Sequence, residues 1–180
     1  MNKAVFLDRD GVINQAVVRE GKPYPPHSVN DLIIFPDVPR ALKLLKSAHF
    51  LLIIATNQPD VSRGTQQKQV VETMHQKLIR ELPIDDVKVC YDLETPESLC
   101  YKPKPGMLLE AASQYNIDLT SSYMVGDRWR DVGCGRAAGC FTIFIDRGYA
   151  EVLREPPHET CGGLLEAAYI ILEHHHSRKY

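Results

Sequence analysis

Four short, almost unbroken apolar runs dictate most of what this chain can become. They are Ala4-Val5-Phe6-Leu7, Phe50-Leu51-Leu52-Ile53-Ile54-Ala55, Ser122-Tyr123-Met124-Val125 and Phe141-Thr142-Ile143-Phe144-Ile145. Runs of this length without polar alternation read as strands buried on both faces, the kind found in parallel sheets covered by helices. Val87 to Tyr91 adds a further strand. The stretches between them carry helical spacing instead. In 38–48, Val38, Ala41, Leu42, Leu44 and Leu45 share a face, with Asp37 placed to cap the start. In 65–82, Val70, Val71, Met74, Leu78 and Ile79 point inward, and 106–115, 130–138 and 164–173 complete the set. Residues 15–36 hold Pro23, Pro25, Pro26 and Pro36, so they read as a loop with one short strand at Leu32-Ile33-Ile34-Phe35. Strands alternating with helices predict a Rossmann-like, three-layer α/β sandwich with a parallel sheet, residues 1–180 forming one domain.

Composition narrows the function more than the fold. A net charge of −2 gives no electrostatic case for nucleic acid or an anionic membrane. No apolar stretch approaches the roughly 18 residues a membrane span needs, and acids arrive too early for an export signal. Five cysteines, odd in number and irregularly spaced, predict reduced thiols and a cytoplasmic setting.

The strand ends carry the chemistry. In a parallel sheet all carboxyl ends meet at one edge, where ligands bind. Asp8 ends the first run and Asp10 follows two residues on, with Gly11 allowing a sharp turn. Thr56-Asn57-Gln58 ends the second run and Gly126-Asp127 the third, while Lys102 follows the strand at 87–91. Each piece has a plainer reading: a turn, a solvated lysine, a helix cap. Together they assemble two or three carboxylates, a hydroxyl and an ammonium at one edge. The acids repel one another unless a hard cation offsets them, and Mg²⁺ suits a few carboxylates and waters. Lys102, Thr56 and the Asn57 amide then leave room for a phosphate.

Asp8-Arg9-Asp10-Gly11, Thr56-Asn57-Gln58, Lys102-Pro103 with Pro105-Gly106-Met107, and Met124-Val125-Gly126-Asp127 with Asp131 resemble the four motifs of the haloacid dehalogenase (HAD) superfamily. More narrowly, Phe6 to Gly11 and Lys102 to Met107 are similar to the heptose bisphosphate and histidinol-phosphate phosphatases. The resemblance implies an Mg²⁺-dependent phosphomonoesterase acting through an aspartyl-phosphate on a small phosphorylated metabolite. In that reading Asp8 is the nucleophile and Asp10 the acid and base. Thr56 and Lys102 steady the phosphoryl group. Asp8, the Asp10 main-chain carbonyl and Asp127 hold the metal, with Asp131 supporting its water shell. Asn57, Gln58, Tyr101 and Arg128 fall where such enzymes touch substrate. The first substrate choice is D-glycero-D-manno-heptose 1,7-bisphosphate; histidinol phosphate, another small phosphomonoester, or a non-catalytic phosphate-binding module are the alternatives.

The sequence also departs from that group. Its zinc loop, Cys-x-His followed by Cys-x-Cys, corresponds here to Cys90-Tyr91-Asp92 and Ser98-Leu99-Cys100. Two thiols and a carboxylate fall short of a tetrahedral set, so no zinc is expected. Tyr101 replaces a substrate-binding arginine and Arg128 a frequent lysine. The loop between Gln15 and Asp37 is too short for a large cap domain, and so is the segment between the strand at 87–91 and the run starting at Ser122. Arg19, Lys22, Tyr24 and His27 are candidates for the entrance of an open site, and Trp129 either walls the pocket or packs on the Lys102 loop. Cys134 and Cys140 read as small core residues, and Glu173-His174-His175-His176 as a surface tail. The oligomeric state is not legible.

Overall fold

A computed structural model describes residues 1–177. In chain order the elements are β1 (Ala4–Leu7), β2 (Val17–Arg19), β3 (Lys22–Tyr24), α1 (Val38–Ser47), β4 (Leu51–Asn57), α2 (Lys68–Glu81) and β5 (Asp86–Cys90). Then come α3 (Gly106–Tyr115), β6 (Tyr123–Gly126), α4 (Trp129–Ala138), β7 (Phe141–Ile145), β8 (Glu159–Cys161) and α5 (Leu164–Ser177). Six strands form one sheet in the order β5-β4-β1-β6-β7-β8, every pairing parallel.

The pleat of β1 explains the three layers. Alternate side chains leave a strand on opposite faces. Val5 and Leu7 join one core with residues of α1, α2 and α5, including Leu42, Met74, Leu78 and Ile171. Ala4 and Phe6 join a second core with Met107, Leu108 and Ala111 of α3 and Cys134 of α4. A strand sandwiched this way has no wet face, which is why its sequence is unbroken apolar. Each large side chain so buried contributes about 1.5–3 kcal/mol.

The expected Rossmann-like sheet holds, no large cap stands among the described residues, and local details differ. The 15–36 stretch is not simply a loop: β2 and β3 make an exposed antiparallel ribbon turned by Glu20 (φ 50°) and Gly21 (φ 73°). Ile34 makes only an isolated bridge to Asn14, so the expected strand at 32–35 is absent. Asp37 stands at the start of α1 without capping it; its Oδ2 accepts instead from the Leu165 amide at 3.1 Å, tying α1 to the first turn of α5. In α2 the buried residues are Val71, Met74, His75 and Leu78, while Ile79 is exposed. The histidine run is no surface tail. Helix α5 continues through it, placing His174 Nδ1 3.0 Å from the Tyr123 hydroxyl and the His175 ring 5.0 Å from Phe50. No helix among the described residues is long and apolar enough to cross a membrane.

The cysteines divide in two. Cys134, Cys140 and Cys161 are free and buried, as small core residues should be. Cys90 and Cys100 are joined as a disulfide with their Cα atoms 5.5 Å apart. This corrects the expectation of thiols throughout: the loop leaving β5 returns beside its own start, which irregular spacing does not reveal.

Candidate active site

Three neighbouring strands deliver the central groups. Asp8 follows β1, Thr56 lies near the end of β4, and Asp127 follows β6. Lys102 reaches the same edge from the loop between β5 and α3. Its Nζ donates to Asp8 Oδ1 at 2.7 Å, Asp131 Oδ1 at 2.6 Å and the Ala55 carbonyl at 2.8 Å. The main chain of Lys102 is fixed as well: its amide donates to Asn57 Oδ1 at 3.0 Å and its carbonyl accepts from Asn57 Nδ2 at 3.3 Å. Burial alone would lower the Lys102 pKa, but Asp131 and Asp8 outweigh it and hold the ammonium charged. Burial pushes the Asp8 carboxyl up to about 6, against the pull of Lys102.

Asp10 leaves Asp8 by the expected route. Arg9, fully buried, clamps it with Nε to Oδ1 at 3.0 Å and Nη2 to Oδ2 at 2.8 Å. The third face of that guanidinium meets His75 Nε2 at 3.0 Å. Burial and the Arg9 charge drive His75 down to about 3, so it stays a neutral acceptor. Burial works to raise the Asp10 pKa, yet Arg9, Asn14 and Gln58 together lower it. Gln58 was expected to touch substrate. Its side chain instead turns inward, Nε2 bonding Asp10 Oδ2 at 3.0 Å and Thr56 Oγ1 at 2.9 Å, and it is absent from the pocket wall.

The acid cluster is Asp8, Asp127 and Asp131, whose nearest oxygens lie within 4.8 Å of one another. Asp10's carboxylate is not among them, so only its main-chain carbonyl remains for the metal role expected of it. Among the described residues three buried carboxylates face one ammonium, and neither oxygen of Asp127 meets a hydrogen-bond donor in bonding geometry. Burial, then Asp8 and Asp131, push the Asp127 pKa well up; the Tyr149 hydroxyl beside it offsets little of this. An all-oxygen set with excess negative charge and an orphaned carboxylate fits a hard divalent cation. Gly11 makes room for that acid. At φ +90° it turns the chain, and a Cβ there would overlap the Asp127 carboxylate. Gly11→Ala is therefore expected to cost roughly 1–3 kcal/mol in a denaturant titration and to weaken Mg²⁺ binding measured by calorimetry.

Asp8, Asp10, Thr56, Lys102 and Asp131 line a cavity of about 290 Å³. Asn57, Tyr101 and Arg128 line it too, and so do Lys22 and Tyr24 from the ribbon. Arg19 and His27 are not on its wall; Arg19 lies over the Tyr24 ring instead. Arg128 is ion-paired with Glu151. The Trp129 ring meets the Arg130 and Arg154 guanidiniums and walls a separate cavity with Asp127 and Tyr149.

A model of HAD-hydrolase-like proteins matches residues 99–167. The D-glycero-D-manno-heptose-1,7-bisphosphate 7-phosphatase of Thermosynechococcus vestitus is 33% identical over 172 residues, covering 87% of this chain and 85% of its own. The chain belongs to this family of HAD-type phosphatases. The β-heptose enzyme of Pasteurella multocida shares 36% with the phosphatase over 77% of this chain and 78% of its own. The crystal structure of the D,D-heptose 1,7-bisphosphate phosphatase from B. bronchiseptica, complexed with magnesium and phosphate, superposes with a TM-score of 0.81 at 28% identity, covering 96% of this chain and 99% of that one.

Sequence reasoning passed over four residues of the phosphatase site. Arg9 sat unremarked between two acids, although a cation there was a signal. Arg63 and Arg130 line the cavity, as does Glu94, which accepts from Arg130 at 2.6 and 2.7 Å. Arg130 had one local clue, its place two residues beyond Arg128 at the opening of α4. Glu94 and Arg63 had none, because loop curvature alone brings them in.

Proposed function

We propose that this phosphatase removes the 7-phosphate of D-glycero-D-manno-heptose 1,7-bisphosphate, with residues 1–180 as one catalytic unit working in the cytoplasm. The observation carrying this reading is the meeting of Asp8 and Lys102 on the wall of one cavity, with Asp127 clustered against Asp8 just behind it, in a chain so similar to enzymes of that name. The cavity is near the small end of metabolite pockets.

An Asp8 carboxylate oxygen attacks phosphorus, and the phosphorus–sugar oxygen bond breaks to leave an aspartyl-phosphate. Asp10 protonates the departing alkoxide, then takes the proton of the water that hydrolyses the intermediate. The Arg9 clamp favours the carboxylate form of Asp10, which suits the second half; the first half needs the acid form, which the clamp makes scarce. Lys102 and the Thr56 hydroxyl steady the phosphoryl oxygens. Asp8, Asp127 and the Asp10 carbonyl would hold Mg²⁺, with Asp131 supporting its waters, and the ion when bound neutralises the charge that the acids and the phosphoryl group bring together. Zinc has no place in this reading, because the Cys90 and Cys100 sulfurs are spent on each other. Tyr101, Arg128 and Asn57 form the wall met by the rest of the substrate.

The test supplies the bisphosphate with Mg²⁺ and follows products by phosphorus NMR. One equivalent of inorganic phosphate and an intact 1-phosphate are expected, with activity lost to EDTA and restored by Mg²⁺. If a generic aryl phosphate or histidinol phosphate is cleaved while the bisphosphate survives, the substrate reading fails.

A further inference from the structure

Cys90 closes β5 and Cys100 stands two residues before Lys102; the loop between them contributes Glu94, and Tyr101 follows it, to the cavity wall. We propose that the Cys90–Cys100 pair is a reversible thiol–disulfide clasp that sets the shape of this wall. The proposal rests on the reading of that cavity as the substrate pocket.

The surroundings of the two sulfurs suit both redox forms. Ser98 Oγ lies 3.9 Å from Cys90 Sγ and 3.7 Å from Cys100 Sγ, and Asp92 Oδ2 lies 3.4 Å from Cys100 Sγ. A disulfide has no proton to give these oxygens. Once reduced, both thiols find acceptors already in place. Access is one-sided, since Cys90 is fully buried while Cys100 is only partly so. One thiolate of a small dithiol attacks Cys100 Sγ, and the electron pair of the broken S–S bond leaves on Cys90 Sγ, which takes a proton from water. The dithiol's second thiolate then attacks its own sulfur in the mixed disulfide and expels Cys100, which is protonated in turn. Two electrons and two protons pass to the pair, and the dithiol becomes a disulfide. A low-molecular-weight disulfide such as oxidised glutathione reverses the exchange. The other three cysteines do not compete, because burial pushes their thiols up, Cys140 to about 12 and Cys161 to about 11.

Opening the clasp spares Lys102, which Asn57, Asp8, Asp131 and Ala55 hold independently. What loosens is the wall: Glu94 with its tie to Arg130, and Tyr101, whose amide leans on Ser98 Oγ at 3.1 Å. The clasp should therefore act on KM and leave kcat nearly alone.

The protein is equilibrated with oxidised glutathione or with dithiothreitol, and thiols are titrated after denaturation. Three of the five cysteines should react in the first case and all in the second. A glutamyl endopeptidase should cut after Glu94 or Glu97 at least about fivefold faster in the reduced protein. Cys100→Ser should be cut fast in both conditions. With Mg²⁺ and 4-nitrophenyl phosphate, a probe needing phosphatase activity alone, reduction should raise KM by about three- to tenfold and leave kcat within about twofold. Five thiols reacting in the oxidised sample, equal cleavage rates, an unchanged KM, or one zinc per chain bound by the cysteines would each overturn the clasp. Failure of the heptose substrate alone would leave these readouts intact.

Discussion

Asp8→Asn ends turnover while the protein stays folded. The amide cannot displace an alkoxide at phosphorus, so hydrolysis of any phosphomonoester should fall by at least about a thousandfold. The fold should not suffer. Asp8 shares its space with Asp127 and Asp131, and burial already pushes its carboxyl up, so ionising it in the metal-free site is a cost. Removing that charge should raise the midpoint of thermal unfolding in EDTA, and the gain should shrink when Mg²⁺ is added to the wild type. Turnover within tenfold of wild type would strip Asp8 of the nucleophile's role, whatever the unfolding curve shows.

Lys102→Met carries the opposite stability sign. The substitution keeps the length of the stem and deletes the ammonium that, among the described residues, pairs with both Asp8 and Asp131. Breaking one side of a buried ion pair typically costs about 3–5 kcal/mol, because the remaining charge is left without compensation. The catalytic loss should be about 10²–10³-fold, the usual worth of one charge contact to a transition state. Denaturant titration in EDTA and steady-state kinetics in saturating Mg²⁺ separate the two effects. Added cation should recover much of the stability and little of the rate. A variant that loses stability yet turns over normally would make Lys102 a strut for the acids and not a partner of the phosphoryl group.

How much of this was legible in the chain follows from what fixes each feature. The ends of β1, β4 and β6 were readable because a strand buried on both faces must be apolar until it stops, and the stopping residue sits at the ligand edge. That placed Asp8, Thr56 and Asp127 together from widely separated segments. Direction beyond the strand end was harder. Gln58 lies two residues after Thr56, so the twofold period of an extended chain already put both on one side, and that clue points inward to Asp10. The β2–β3 ribbon was hidden by its prolines and brevity, although Glu20-Gly21 is a two-residue turn of the kind that closes hairpins. Asp37 looked like a cap for its own helix because caps are local, whereas its partner Leu165 lies far along the chain. The Cys90–Cys100 bond and the Glu94–Arg130 pair depend on how one irregular loop curls, which no periodicity encodes.

The Arg9 clamp reaches further than its size suggests. A guanidinium sealed inside the protein, touching the proposed proton carrier on one side and a neutral imidazole of α2 on the other, links the surface helix to the chemistry through two contacts. Evolution, or an engineer, can thus retune the acidity of that carrier from position 75, which is not on the cavity wall, and leave the reacting groups untouched.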